Sequence, residues 1–89
     1  MLSEQISIIN QLGLHARAAS KLVSTASRFT STVRISKESK EVDAKSIMSV
    51  MMLAASCGTT VTLSIDGPDE AEALAALKAL INDRFGEAQ

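Results

Sequence analysis

The sequence predicts a two-layer α+β domain with elements in the order β-α-β-β-α-β-α. Three observations predict it. Four stretches, centred on Ile6–Ile8, Val33–Ile35, Val42 and Val61–Ile65, alternate apolar and polar residues, the pattern of strands with one buried face. Three others repeat apolar residues at helical spacing. At 89 residues the chain is one domain, residues 1–89, long enough for a modest core without metal or disulfides. A sheet with one buried side needs the helices to cover that side.

A first strand runs from about residue 3 to 9, with Ile9 blurring its alternation. Gln11–Leu14 is a loop in which Gly13 is free to adopt the backbone geometry that brings His15 to a helix start. Ala19, Leu22, Val23, Ala26 and Phe29 then mark a helix from about Ala16 to about Ser27, with Arg17, Ser20, Lys21, Ser24 and Arg28 outward. Lys21 and Arg28 are most simply solvated charges; a second reading is a basic face that steers an acidic partner. Thr32–Ser36 is a strand, Lys37–Lys40 is turn-like, and Glu41–Asp43 closes a hairpin whose polar, lysine-bearing residues suit a sheet edge.

Ser46 is the candidate N-cap of the second helix. Residues 47–55 are apolar on two stripes: Ile47, Val50, Met51 and Ala54, then Met48, Met52 and Ala55. Either the methionines fill the core or one face is left for a partner, a use that suits their adaptable side chains. Ala54–Thr59 is a loop of small residues, and Thr60–Ile65 the cleanest strand. After a Gly67-Pro68 turn, Asp69 and Glu72 have the spacing of a capping box. A third helix follows from about Glu70 to Arg84, with Leu74, Leu77, Ile81 and Phe85 inward, Gly86 ending it and Glu87-Ala88-Gln89 a frayed tail.

Composition excludes several classes of function. Net charge is −1 with no basic stripe, and the only aromatic residues are Phe29 and Phe85, which argues against nucleic acid. One histidine and one cysteine supply too few ligands for a closed zinc site. Serines and acids abound, so composition leaves Ser-His-Asp hydrolysis open, but no G-x-S-x-G elbow supports it; no cofactor is called for. Cys57 stands alone, so a reducing cytoplasm is the expected compartment. Met1–Gln5 lacks the pattern of a secretory signal, and the longest apolar run, Val50–Ala55, is too short to enter and cross a membrane.

The chemistry gathers at Gly13-Leu14-His15-Ala16-Arg17. The first N–H groups of a helix have no partner inside it, and the macrodipole makes that end an anion site. Neutral imidazole is a nucleophile that can carry a covalent intermediate. A phosphoryl group on His15 would face the N–H groups of Ala16 and Arg17, with the Arg17 guanidinium adding charge-assisted bonds. The dipole contributes about 0.3–1 kcal/mol to a surface anion, enough to tune such a group and too little to trap it. On spacing alone, a surface or capping histidine is the plainer reading.

Gly13-Leu14-His15-Ala16-Arg17 resembles the phosphorylation-site motif of the histidine-containing phosphocarrier (HPr) family of the bacterial phosphoenolpyruvate-dependent phosphotransferase system. Lys45-Ser46-Ile47-Met48 resembles that family's second motif, around a regulatory serine. The separation of the motifs fits as well, so the resemblance covers essentially the whole chain. It departs at Ala18, where proline is common, and at Ser49, where glycine is common. The resemblance implies an open-faced sandwich with an antiparallel sheet in the order 1-4-2-3. It implies His15 as phosphoryl acceptor and donor through Nδ1, Arg17 and the Ala16 N–H as phosphate stabilisers, and Ser46 as a regulatory phosphorylation site at the centre of a docking surface formed by Ile47, Met48 and Met51 with Ser20 and Lys21. The implied partners are enzyme I, enzyme IIA domains and a serine kinase/phosphorylase acting on Ser46. The implied role is a stoichiometric carrier in sugar uptake, without substrate turnover of its own; a monomer is expected, because the partners need the same exposed surface. Two alternatives stand beside it: a regulatory carrier of the nitrogen-related branch, and a non-enzymatic partner-binding regulator switched at Ser46.

Overall fold

In the computed structural model, which describes residues 1–87, the alternating stretches become β1 (Leu2–Ser7), β2 (Thr32–Lys37), β3 (Lys40–Asp43) and β4 (Thr60–Asp66), and the helices are α1 (Ala16–Ala26), α2 (Ile47–Met52) and α3 (Glu70–Asn82). The sheet runs β1-β4-β2-β3 with every pairing antiparallel. The register explains why this order is stable. Ile6 pairs with Val61, Val33 with Ile65, and Ile35 lies between Leu63 and Val42, so one continuous apolar face crosses all four strands. The other face carries Gln5, Thr62, Arg34 and Ser64, whose polar groups suit water.

The helices close the apolar face. Ala18, Ala19, Leu22 and Ala26 of α1 are fully buried, and the small side chains among them let that helix lie close to the sheet. Ala73, Leu77 and Ile81 of α3 and Val50 of α2 complete the core. The methionines do not: Val50 and Leu53 take the inward positions, and Ile47, Met48, Met51 and Met52 are exposed.

Several boundaries differ from expectation. β1 ends at Ser7, yet Ile8 stays buried, its N–H bonded to Thr59 O at 2.9 Å and its carbonyl accepting from Gly58 N at 2.7 Å. Lys37 and Lys40 belong to the hairpin strands, leaving Glu38-Ser39 as the turn. α3 stops at Asn82, two residues before Arg84. The Asp69/Glu72 capping box does not form, because Asp69 accepts instead from Thr30 N and Ser31 N, each at 2.9 Å, and from the Ser31 hydroxyl. Those bonds, the Ser31 hydroxyl first, hold the Asp69 carboxyl down at about 2. Glu70 takes the local role, accepting from Gly67 N at 3.1 Å.

α1 and α2 run in opposite directions. Leu14 N, just before α1, bonds to Ala55 O, just after α2, at 2.9 Å. Lys45 Nζ, just before α2, bonds to Phe29 O, beyond α1, at 2.8 Å. The start of α1 therefore lies beside the exit from α2.

Candidate functional site

His15 is delivered by a turn with no slack. Asn10 is fully buried; its Nδ2 donates to Gly13 O at 2.8 Å and its carbonyl accepts from Gly13 N at 3.1 Å. Gly13 has φ +66°, and a Cβ there would lie 2.6 Å from Ala55 O and 2.7 Å from Ser56 Cα. Only glycine fits both the left-handed backbone and the close approach. Leu14 is buried and its N–H is held by Ala55 O, so the next residue emerges at the N-cap of α1 in extended geometry. The His15 carbonyl accepts from Ala19 N at 2.8 Å, and its Nδ1 accepts from Arg17 N at 3.3 Å.

The second ring nitrogen has a partner that the sequence pattern did not reveal. His15 Nε2 pairs with a carboxylate oxygen of Glu87, and the other oxygen accepts from Asn10 Nδ2 at 3.0 Å. Glu87 is thus an ordered part of the site rather than a frayed tail; Ala88 and Gln89 lie outside the described residues. The chain reaches this position through a left-handed turn after α3, with φ of +55° at both Arg84 and Phe85 and +78° at Gly86. Left-handed geometry costs about 1–2 kcal/mol for each non-glycine residue. Phe85 is fully buried by the same turn, which offsets about 1.5–3 kcal/mol. Phe85 faces inward as expected, but by this turn and not as a position of the third helix. The Asn10 bond first, and then the His15 contact, hold the Glu87 carboxyl below the usual glutamate range against the opposing effect of desolvation.

These groups line an open depression of about 850 Å³ between the Gln11-Leu12 loop, the start of α1 and Gly86-Glu87. Arg17 and Lys21 line it too, so two cationic side chains share it with the Glu87 carboxylate. Ala16 and Arg17, the first two residues of α1, line the same depression. At 3.3 Å the bond from the Arg17 N–H to Nδ1 is a long one. Leu12 is 70% exposed, an apolar side chain on the rim that periodicity passed over.

The other predicted positions divide. Ser20 is exposed. Lys21 is not simply a solvated charge: its Nζ donates to Phe85 O at 2.6 Å and holds the left-handed turn against α1. Ile47, Met48 and Met51 are exposed together with Met52. Ser46 caps α2, accepting from Ser49 N at 3.4 Å. It stands at the start of α2, the end opposite the Leu14–Ala55 contact, because α1 and α2 are antiparallel. Asn10 and Glu87 are the functional candidates missed by periodicity; the Asn10-x-x-Gly13 turn was the one local signal. Among the described residues no group of three or more His, Cys, Asp or Glu side chains converges on a metal position, and no helix is long and apolar enough to cross a membrane.

Residues 2–83 match the family model described as the phosphorylation site of the PTS HPr component. The chain is 60% identical to the phosphocarrier protein HPr of Cupriavidus necator and 55% identical to that of Neisseria meningitidis, in both cases over the full length of both chains. Its fold superposes on a crystal structure of HPr from Thermoanaerobacter tengcongensis with a TM-score of 0.97, 48% identity and complete coverage of both chains. A crystal structure of an HPr dimer from the same organism matches with a TM-score of 0.79 at 49% identity, covering 98% of this chain and 100% of that one. These similarities, with the sheet order described above, establish that the chain belongs to the HPr family of phosphocarrier proteins of the phosphotransferase system.

Proposed function

We propose that this chain relays a phosphoryl group through His15, taking it from the phosphohistidine of enzyme I and passing it to a histidine of an enzyme IIA domain in sugar uptake. The observation that carries the reading is the placement of His15 as the cap of α1, with Nδ1 turned towards the Arg17 N–H at the mouth of an open depression lined by Arg17 and Lys21. When phosphorus bonds to Nδ1, the N–H groups of Ala16 and Arg17 turn to its oxygens and the Arg17 side chain adds a charge-assisted bond. Transfer between histidines of similar chemistry is nearly isoenergetic, so a shallow site that releases its cargo suits a relay better than a closed pocket. The chain is consumed and regenerated, which makes it a carrier rather than an enzyme. It works as a monomer in the cytoplasm, because each partner needs the same open rim.

Docking falls to Leu12 and to the exposed face of α2, Ile47, Met48, Met51 and Met52, with Ser20 and Lys21 on the α1 side. Ser46 is the regulatory site. Phosphorylation by a serine kinase there adds about −1.5 to −2 charges at one end of that apolar surface and weakens docking without touching His15.

Intact mass after incubation with phosphoenolpyruvate and a bacterial enzyme I tests the relay. The expected result is one phosphoryl group gained, lost in acid and absent in His15→Ala. A folded chain that gains none, while a known carrier is phosphorylated alongside, overturns the reading.

A further inference from the structure

We infer that Glu87 is a positioning residue for phosphoryl transfer, holding the hydrogen of His15 on Nε2 so that the lone pair of Nδ1 is free to take phosphorus. The inference rests on the assignment of His15 as the phosphoryl carrier and deepens it. The two ring contacts agree on one tautomer: Nδ1 accepts from the Arg17 N–H, so the hydrogen of the neutral ring belongs on Nε2, where Glu87 accepts it. The carboxylate is built into place. Buried Asn10 commits its amide nitrogen to Glu87 and to Gly13 O while its Oδ1 has no partner, and Lys21 fastens the carbonyl of Phe85. The Glu87 side chain retains 13% of its surface and that of His15 28%, so the pair is partly shielded from water while the ring stays reachable. The turn that carries Glu87 lies beyond the residues 2–83 that the family model matches.

The chemistry balances with Glu87 outside the bonds that change. The Nδ1 lone pair attacks the phosphorus of a donor phosphohistidine whose other ring nitrogen carries a hydrogen; the donor's P–N bond breaks, and its electron pair returns to the donor ring, leaving a neutral imidazole. The Nε2 hydrogen stays where it is, and the ring becomes an N-phosphorylimidazolium whose positive charge faces the Glu87 carboxylate. On the next transfer the P–N electron pair returns to Nδ1 and the same neutral tautomer is restored. Neither step needs a proton from solvent. The carboxylate sits on the Nε2 side of the ring, and Arg17 lines the depression into which the phosphoryl group would project.

Nitrogen-15 spectra of His15 in the whole protein, together with rates of phosphoryl uptake from phosphorylated enzyme I, test this in wild type, Glu87→Gln and Glu87→Ala. Wild type is expected to hold the neutral ring in the Nε2–H tautomer. Glu87→Ala relaxes the ring towards the tautomer mixture of free imidazole and slows uptake on the order of tenfold, the low end of the loss seen when the carboxylate that orients a metal-bound histidine is removed. Glu87→Gln retains an acceptor but no charge, so it keeps the tautomer and recovers part of the rate. A wild-type ring already in the free-imidazole mixture overturns the proposal without need of any variant. So does Glu87→Ala uptake at the wild-type rate, in which case His15 still carries phosphoryl. Failure of wild type to take phosphoryl at all strikes the carrier reading instead.

Discussion

The two ends of α3 each send a carboxylate to a distant part of the chain, and the two carboxylates serve different ends. Asp69, before the helix, accepts from the N–H groups of Thr30 and Ser31 and from the Ser31 hydroxyl. None of those donors titrates near neutral pH or reacts. Glu87, beyond the helix, accepts from an inert amide on one oxygen and pairs with the imidazole of His15 on the other. The first contact closes the fold between α3 and the entry to β2; the second reaches a ring that can gain a substituent. The pair shows that an acid's task is read from the donors it meets, since both sit beside the same helix.

The contrast is sharpest when each carboxylate is removed. Asp69→Ala strips the acceptor from three donors, one of them the N–H of Ser31, which is 1% exposed. It should lower Tm more than Glu87→Ala, Gly13→Ala or Ser46→Ala and leave phosphoryl uptake by the folded fraction intact. Glu87→Ala should do the reverse, with a small change in Tm and a clear change at the histidine; equal losses of Tm in the two variants would erase the distinction. Gly13→Ala is expected to cost about 1–3 kcal/mol in chemical denaturation, through left-handed strain and a backbone clash, while the Asp69 clamp stays in place.

The pH dependence separates the ends further. The Asp69 carboxyl is held at about 2 in the folded chain, whereas an unfolded aspartate titrates near ~3.9. As pH falls, the unfolded state takes up the proton first, so the stability from this clamp is complete above about pH 5 and is lost as pH drops towards 2. Thermal melts of Asp69→Asn should show a flatter decline in that window than wild type. Glu70 and Glu87 are shifted in the same direction, so part of the slope persists. The smallest effect is expected at a cap with no such reach: Ser46→Ala loses one 3.4 Å bond, at the low end of the roughly 0.5–2 kcal/mol range for N-caps, readable in a denaturant midpoint.

Local periodicity made most of the fold legible. Val33 and Ile35, or Val61, Leu63 and Ile65, alternate because their strands have one buried face, and that signal sits within a few residues. The order 1-4-2-3 was not in the periodicity and came with the family resemblance. His15, Ala16 and Arg17 were legible because a helix start is a local feature. Asp69 misled because its spacing to Glu72 satisfies a local rule, while the donors that win its carboxylate lie nearly forty residues upstream in Thr30 and Ser31. Glu87 was hidden for a similar reason. Its path depends on left-handed geometry at Arg84 and Phe85, residues that do not favour it alone, and on a buried Asn10 at the opposite end of the chain. Lys21 read as solvent-facing because nothing within its own helix announces Phe85 O as its acceptor.

We propose that phosphorus is carried on Nδ1 of His15 while Nε2 keeps its hydrogen. The most direct measurement is phosphorus-to-nitrogen coupling in the nitrogen-15-labelled, phosphorylated protein. The expected result is coupling to Nδ1 of His15 and a directly attached hydrogen on Nε2. Coupling to Nε2, or phosphorus on any side chain other than His15, would contradict it.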